Sequence, residues 1–435
     1  MKTHIKNLLL LLFLAGVATA SAQVVTNSAD SGPGTLRSAI TNAASGAVIT
    51  FAPSLSGATI TLSNTLTINT NLTIDASALS GGLQINGNGS VQIFNVANFN
   101  ITVLLNSLTI TNGSGNEGGG IYNNYDGTLT LSNCILSGNR ASEEGGGIYN
   151  DGILTLNQCT LSGNIASEEG FGDGGGIYND DGGELALNQC TLSGNGCYLG
   201  GGIYNYEGEL TLNQCTLSGN SGPGFYSPGG GGIYNSYEGT LTMTNTVVAG
   251  NRGEDIISGS PLTYGGSNLV QSVSAVFPVG SGVDFTGPAP LTNAPDLAPL
   301  GNYGGPTQTM LPLPGSPAIG AGSVADNTFS TDQRGYPRTQ NGLIDLGAVE
   351  LQSPAANLPV LANITVPAGG GNGLQFTFTN APAADFTVLT ATNVALALTN
   401  WTVLGEVQQV APGQYQFTDP QAATNTGRFY RVVSP

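Results

Sequence analysis

Two residue types recur in the middle of this chain where their side chains could act together. A tyrosine stands between Ile and Asn at Tyr122, Tyr149, Tyr178, Tyr204 and Tyr234, and shortly after each an acidic residue precedes a turn glycine: Asp126, Asp151, Asp181, Glu207 and Glu238. If the segments carrying them stack in register, each set forms a column with neighbours about 4.8 Å apart. Carboxylates at that spacing repel by about 1 kcal/mol per pair in water-like surroundings. Calcium, held by several carboxylate and carbonyl oxygens, is the one cofactor candidate that would offset this, with Glu143, Glu144, Glu168, Glu169 and Asp173 in neighbouring loops. The simpler expectation is no cofactor, the carboxylates splaying into solvent from ordinary DG and EG turns. An exposed tyrosine column offers a flat, hydrogen-bonding strip for a glycan; the alternative is a structural aromatic stack covered by glycine-rich loops.

Composition removes most other chemistry. His4, Lys2 and Lys6 all lie in the first six residues. That stretch opens a secretory signal: an apolar run from Leu8 to Val17 and an AxA site at Ala20, Ser21 and Ala22 place cleavage after residue 22. The mature chain then has no histidine and no lysine, so Ser/His/Asp and Cys/His catalysis and histidine-bound zinc are excluded. A carboxylate pair for glycoside hydrolysis, or an arginine with calcium for lyase chemistry, remains, with Arg140 beside Glu143 and Glu144 as the best lyase-like group. Seven arginines face 27 acidic residues, a net charge of −20, which excludes nucleic acid as a partner. No later segment is apolar enough to span a bilayer.

The elements that position these residues are repeats. GGGIYN recurs from Gly118, Gly145, Gly174, Gly200 and Gly230, each time followed by an acidic turn and LTLNxCTLSGN or a near copy. A period of 26 to 30 residues with fixed motif text and changing loops is a solenoid signature, in which each coil buries its apolar face on its neighbours. In LTL, apolar residues alternate with Thr, a period of two that defines short strands. Asn123, Asn150, Asn179, Asn205 and Asn235, with Asn139, Asn164, Asn195, Asn220 and Asn251, are expected to form amide ladders. Cys134, Cys159, Cys190 and Cys215 share one repeat position and predict a buried ladder of thiols; Cys197 stands apart in a loop.

The chain thus reads as all-β: a right-handed parallel β-helix with an N-terminal capping helix, followed by a small C-terminal β-sandwich. Residues 1–22 are the signal peptide and 23–46 the cap, where Leu36, Ala39, Ile40 and Ala43 fall on one helical face. Residues 47–290 form the coils, roughly ten at about 25 residues each. Residues 291–352 close the rod, with Asp332, Arg334, Arg338 and Asp345 as an ion-paired closure; 353–359 link; and 360–435 form a fibronectin- or immunoglobulin-like sandwich with Trp401 in its core.

Several stretches resemble a known family. GSPAIGAGS (Gly315 to Ser323), DQRGYPR (Asp332 to Arg338) and IDLGAVE (Ile344 to Glu350) are similar to the ends of bacterial surface β-helix proteins with a choice-of-anchor Q domain, and GTLRSAI (Gly34 to Ile40) to their starts. The GGGIYN and LSGN pairs resemble the GGAI and FxxN repeats of polymorphic outer-membrane adhesins, with Leu136, Leu161, Leu192 and Leu217 standing in place of Phe. The resemblance covers residues 24 to 352 and implies a fold more than an activity. Because every coil repeats the same residues, where enzymes of this fold concentrate special ones on one or two coils, and because of the signal peptide, the chain is expected to be an exported, monomeric, non-catalytic surface or secreted protein, adhesin-like or structural in the envelope. Its expected partner is a glycan or a neighbouring cell surface. A polysaccharide lyase or hydrolase is the alternative.

Overall fold

Strand alternation builds the coil. In Thr128–Ser132, Ile153–Asn157, Glu184–Asn188, Glu209–Asn213 and Thr240–Thr244 the second and fourth residues point inward and are buried, while the others stay half-buried or exposed. The computed structural model describes residues 23–433 apart from 168–171, 223–228, 237, 277–282, 353–360, 366–372, 381–383, 395, 397–400, 421 and 423–427. The expected signal peptide, the linker and the loop residues Glu168 and Glu169 therefore lie outside the described residues.

Among the described residues four parallel sheets run along the rod: a short one of three strands, Ser114–Glu117, Arg140–Glu144 and Ile165–Ala166, lies beside three long ones. One has 11 strands, from Gln23–Val25 to Phe285–Thr286; two have 9, from Leu66–Ile68 to Val273–Ala275 and from Ala58–Thr61 to Leu269–Val270. Equivalent residues pair from coil to coil, as in Leu129 with Leu154 and Leu154 with Leu185. The corners need left-handed backbone, and the residue before each cysteine position supplies it: Asn133, Gln158, Gln189, Gln214 and Asn245 have φ between 50 and 55°. At Gly145, φ is 66° and an added Cβ would lie 2.4 Å from the Ile148 carbonyl, so only glycine opens that corner.

Inside is one continuous apolar column running from Val25 to Val270. Cys134, Cys159, Cys190 and Cys215 are fully buried free thiols in it, as the repeat position predicts. Both amide ladders form. Asn139, Asn164, Asn195, Asn220 and Asn251 bond side chain to side chain at 2.9 Å, ending on Asp255. The second set, Asn123 to Asn235, does so at 2.7 Å and ends on Ser258. At the N-terminus, helix α1 (Leu36–Thr41) is capped by the Thr35 hydroxyl and buries Leu36, Ala39 and Ile40 against the first coils.

The stretch expected to close the end of the rod instead runs back along its side. Gln333 reaches Thr160 and Thr307 through Nε2 at 3.0 Å, and its Oε1 accepts from Thr191 at 2.6 Å. The Gln158 amide donates to the Asp332 carbonyl, and the Ala348 amide to the Thr216 hydroxyl. The outward threonines of successive CTL segments are thereby buried, and Val247 and Leu269 are covered by Ala318 and Leu346. The ion pairing also differs from expectation. Arg334 pairs with Asp332 at 2.9 Å and with Asp385 of the C-terminal unit at 2.8 Å, whereas Arg338 spends Nη2 on the Asp345 and Gly347 carbonyls.

The C-terminal unit has two antiparallel sheets, one of four strands and one of three. Phe376, Phe378, Phe386, Val388 and Tyr415 fill the space between them. Trp401 lies outside that core, half-buried, with its indole N–H on the Leu396 carbonyl at 3.1 Å. The alternating strands already supply enough Phe and Tyr to fill the interior.

Candidate functional site

Each repeat tyrosine lies on a three-residue Ile-Tyr-Asn segment, and the backbone register runs Tyr122, Tyr149, Tyr178, Tyr204, Tyr234 without a slip. Neighbouring ring centroids are 5.0, 5.3, 5.1 and 5.0 Å apart, with planes inclined by 3 to 5°. The ring faces therefore point along the rod and are taken by one another. Tyr149, Tyr178 and Tyr204 are only 7%, 6% and 9% exposed, with Leu199 packed against them. Tyr122 and Tyr234 at the ends are half-buried. The flat open strip expected from alternation does not form, because in-register stacking leaves only ring edges and hydroxyls to face outward.

Carboxylates line both sides of this spine. On one side the residue before the first glycine of GGG gives Glu117, Glu144 and Asp173 in the first three of the five copies. Glu117 is the register partner of Glu144, and the carbonyls of Glu144 and Asp173 accept the amides of Gly118 and Gly145 at 2.9 and 3.0 Å. On the other side the residue after Ile-Tyr-Asn gives Asp151 and Asp180, followed by Tyr206; their amides donate to Asn123, Asn150 and Asn179. The Tyr149 hydroxyl donates to Asp180.

This register splits the acidic column expected from sequence. The turns NYDG, DG, DDGG, YEG and SYEG differ in length, so counting back from the glycine aligns Asp126, Asp151, Asp181, Glu207 and Glu238, whereas the backbone aligns Asn124, Asp151, Asp180, Tyr206 and Ser236. Asp126 and Glu207 sit at left-handed backbone, and Asp126, Asp181 and Glu238 are exposed. Among the described residues no three carboxylate, cysteine or histidine side chains converge closely enough to hold a metal ion.

Burial and crowding raise the flanking carboxyls. Burial, then the charges of Asp180, Glu117 and Glu143, pushes Glu144 up to about 7. Burial brings Asp173 to about 7 as well, with Glu144 adding to the shift and a hydrogen bond from the Leu199 amide opposing it. Glu117 and Asp151 move up for the same first reason, and burial raises the Tyr149 and Tyr178 hydroxyls far above the ordinary phenol range. Arg140 is exposed and makes no ion pair with Glu143 or Glu144 among the described residues, so it does not assemble a lyase-like pair.

The turn edge beside the spine carries groups that repeat counting missed. Phe99 and Tyr125 are 63% and 54% exposed and meet edge to face at 6.5 Å. Tyr206, 39% exposed, leans over Tyr178 and Tyr204 at 6.5 and 6.4 Å. Their signal in the sequence is a large aromatic in a polar turn: Tyr125, Tyr206 and Tyr237 each precede the acidic residue before the turn glycine, in three of the five turns, and Phe99 occurs once.

The family model described as the Chlamydia polymorphic membrane protein repeat matches residues 133–151, from the corner residue Asn133 through LSGN to the next GGGIYN. Comparison with curated proteins gives no match. The matched segment is part of one coil of the solenoid, holding the strands Ile135–Ser137, Arg140–Glu144 and Ile148–Asn150, and repeat and fold together suggest a surface, adhesin-like β-helix protein. No helix among the described residues is long and apolar enough to cross a membrane.

Proposed function

We propose that this chain is an exported, non-catalytic adhesin-like rod that engages an extracellular glycan along the turn edge of its repeat face. The observation that carries this reading is the exposure of Phe99, Tyr125 and Tyr206 beside a row of carboxylates, on a spine repeating every 5.0 to 5.3 Å. Exposed rings stack on the apolar faces of sugars, and carboxylates accept from their hydroxyls. The tyrosine spine serves this surface as a rigid support, its hydroxyl edge adding further polar contacts. A net charge of −20 favours neutral or amino-bearing glycans over acidic ones. No cofactor takes part, so binding is unaffected by a calcium chelator. Resemblance of residues 24 to 352 to surface proteins with a choice-of-anchor Q domain supports the same location.

A glycan array of the mature chain, with calcium and with chelator, tests the reading. Neutral or amino glycans should bind, and a Phe99→Ala/Tyr125→Ala/Tyr206→Ala variant should lose binding by roughly tenfold or more. Unchanged binding in that variant would remove the turn edge from the account. A second reading has one observation behind it: Glu144 and Asp173, held near 7, suit general acid chemistry at neutral pH. Release of unsaturated or reducing ends from array polysaccharides would establish that alternative.

A further inference from the structure

Away from the repeat face, a cavity of about 390 Å³ opens in the segment that runs back along the rod. Its walls are apolar, from Pro314, Ile319, Leu343 and Leu351, and its floor holds the carboxyls of Asp345 and Glu350. Ile319 and Leu343 at the mouth are 40% and 54% exposed, whereas Asp345 and Glu350 are 3% and 2% exposed. Large apolar side chains left open above buried acids are an unusual combination, and a size above 300 Å³ is that of a small-molecule site.

The two acids are not equally satisfied. Asp345 accepts the Gly320 amide on Oδ1 at 2.7 Å and the Leu351 amide on Oδ2 at 2.8 Å. Glu350 takes the Asp345 amide on Oε2 at 2.7 Å, and no group among the described residues meets its Oε1. Neither nearby guanidinium reaches its Oε1. Arg334 is paired with Asp332 and Asp385, and Arg338 gives Nη2 to two carbonyls while its buried Nε and Nη1 meet no partner among the described residues; no carboxylate lies within ion-pair distance of it. Four carboxyls, Asp332, Asp345, Glu350 and Asp385, thus share two guanidiniums. Burial, then the Asp345 charge, raises Glu350 to about 8, against the opposing pull of the Asp345 amide and the more distant Arg338 charge.

We propose that this cavity binds a small amphiphilic amine, its short alkyl or aryl body against Leu343, Ile319, Pro314 and Leu351 and its ammonium on the free oxygen of Glu350. Apolar walls reject strongly hydrated cations such as free metal ions, and the acidic floor rejects fatty acids and other anions. The ammonium gives the buried carboxylate a direct contact on the oxygen that neither guanidinium reaches, and the chain removes the exposed apolar mouth from water. Nothing in this site depends on the glycan-binding surface.

Isothermal titration of the mature chain at neutral pH tests the assignment with three probes of one shape: n-hexylammonium, n-hexanol and n-hexanoate. Hexylammonium should bind roughly tenfold or more tightly than hexanol, and hexanoate should give no heat. Glu350→Gln should remove the preference for the amine over the alcohol. Leu343→Trp, at a half-exposed position that leaves the fold intact, should block all binding by filling the mouth. Absence of hexylammonium binding by the unaltered protein, equal affinity for amine and alcohol, or binding that survives Leu343→Trp would each overturn the proposal.

Discussion

Tyr149 and Asp180 belong to adjacent coils, and the phenol hydroxyl of the first donates to the carboxylate of the second. That bond ties the spine of stacked rings to the acidic row beside it. It also places a negative charge over a surface that already carries Glu117, Glu144 and Asp151. Burial and this crowding hold the Glu144 carboxyl above the ordinary carboxylate range, and the first prediction follows from that.

The solenoid should be more stable in mild acid than in mild base. A carboxyl whose folded pKa lies above its unfolded value binds more protons folded than unfolded, so it lowers stability as pH rises between the two values and no further above them. For Glu144 the window runs from 4.5 to about 7, and for Asp173 from 3.8 to about 7. Thermal midpoints should fall from pH 5 to pH 8. Glu144→Gln should raise the midpoint at pH 8, change it little at pH 5 and so flatten the profile. A variant with the same pH slope as the parent would show that burial of this carboxyl is not the cause.

Asn164→Ala should be among the most damaging single changes in the coils. The Asn164 side chain donates to the Leu136 carbonyl at 3.0 Å and to Asn195 at 2.9 Å, and it accepts from the Asn139 amide and side chain at 3.1 and 2.9 Å. All of this is fully buried, so truncation strands at least two polar groups at a cost of about 3 kcal/mol. The urea midpoint should drop clearly, whereas Asn64→Ala, at an exposed side chain, should leave it in place. Similar midpoints for both variants would mean that water repairs the ladder.

The contrast between those asparagines and the acidic residues shows what the sequence could convey. Coils, amide ladders, thiol ladder and capping helix all rest on a repeated spacing or a local face, so they could be read before any coordinates. Burial of Tyr149, Tyr178 and Tyr204 depends on ring stacking and on Leu199, which breaks the carboxylate series at its own repeat position. The acidic column failed because turn length varies between copies, and only the strands before the turn keep register. Gln333 could not be placed at all: it occurs once, and its partners Thr160 and Thr191 lie 173 and 142 residues away along the chain. Phe99 fell outside the motif for the same reason of singularity, whereas Tyr125 and Tyr206 belong to a Tyr-acid-Gly turn that recurs, with Tyr237, in only three of the five copies.

Asp385 should govern how the C-terminal unit sits on the rod. Its carboxylate meets Arg334 Nη1 at 2.8 Å and accepts the Gln352 amide at 2.9 Å, with all three groups buried. Removing one member of a buried pair leaves the other uncompensated and costs about 3 kcal/mol or more. In Asp385→Ala, hydrogen exchange at the Gln352 amide should accelerate more than tenfold while that at Leu154 in the coil core stays as it was. Unchanged protection at Gln352 would show that other contacts hold the unit in place.

The five cysteines should be silent toward thiol reagents until the rod opens. Cys134, Cys159, Cys190 and Cys215 have no exposed surface, Cys197 has 2%, and all five are free. Four of them donate to the carbonyl two residues earlier, Ser132, Asn157, Asn188 and Asn213, at 3.3 to 3.4 Å, and each thiol also lies in side-chain contact with the next along the column. Parallel in-register strands also hold the side chains in torsions unsuited to a disulfide. Dithionitrobenzoate should therefore release no thiolate product from the folded mature protein and should titrate five thiols per chain in denaturant, with or without prior reduction. A lower count without reductant would reveal a disulfide and break the ladder at that coil. Fast reaction of the folded protein would show that the coils open locally, most readily at Cys197, whose thiol donates to the nearby Leu199 carbonyl at 2.8 Å.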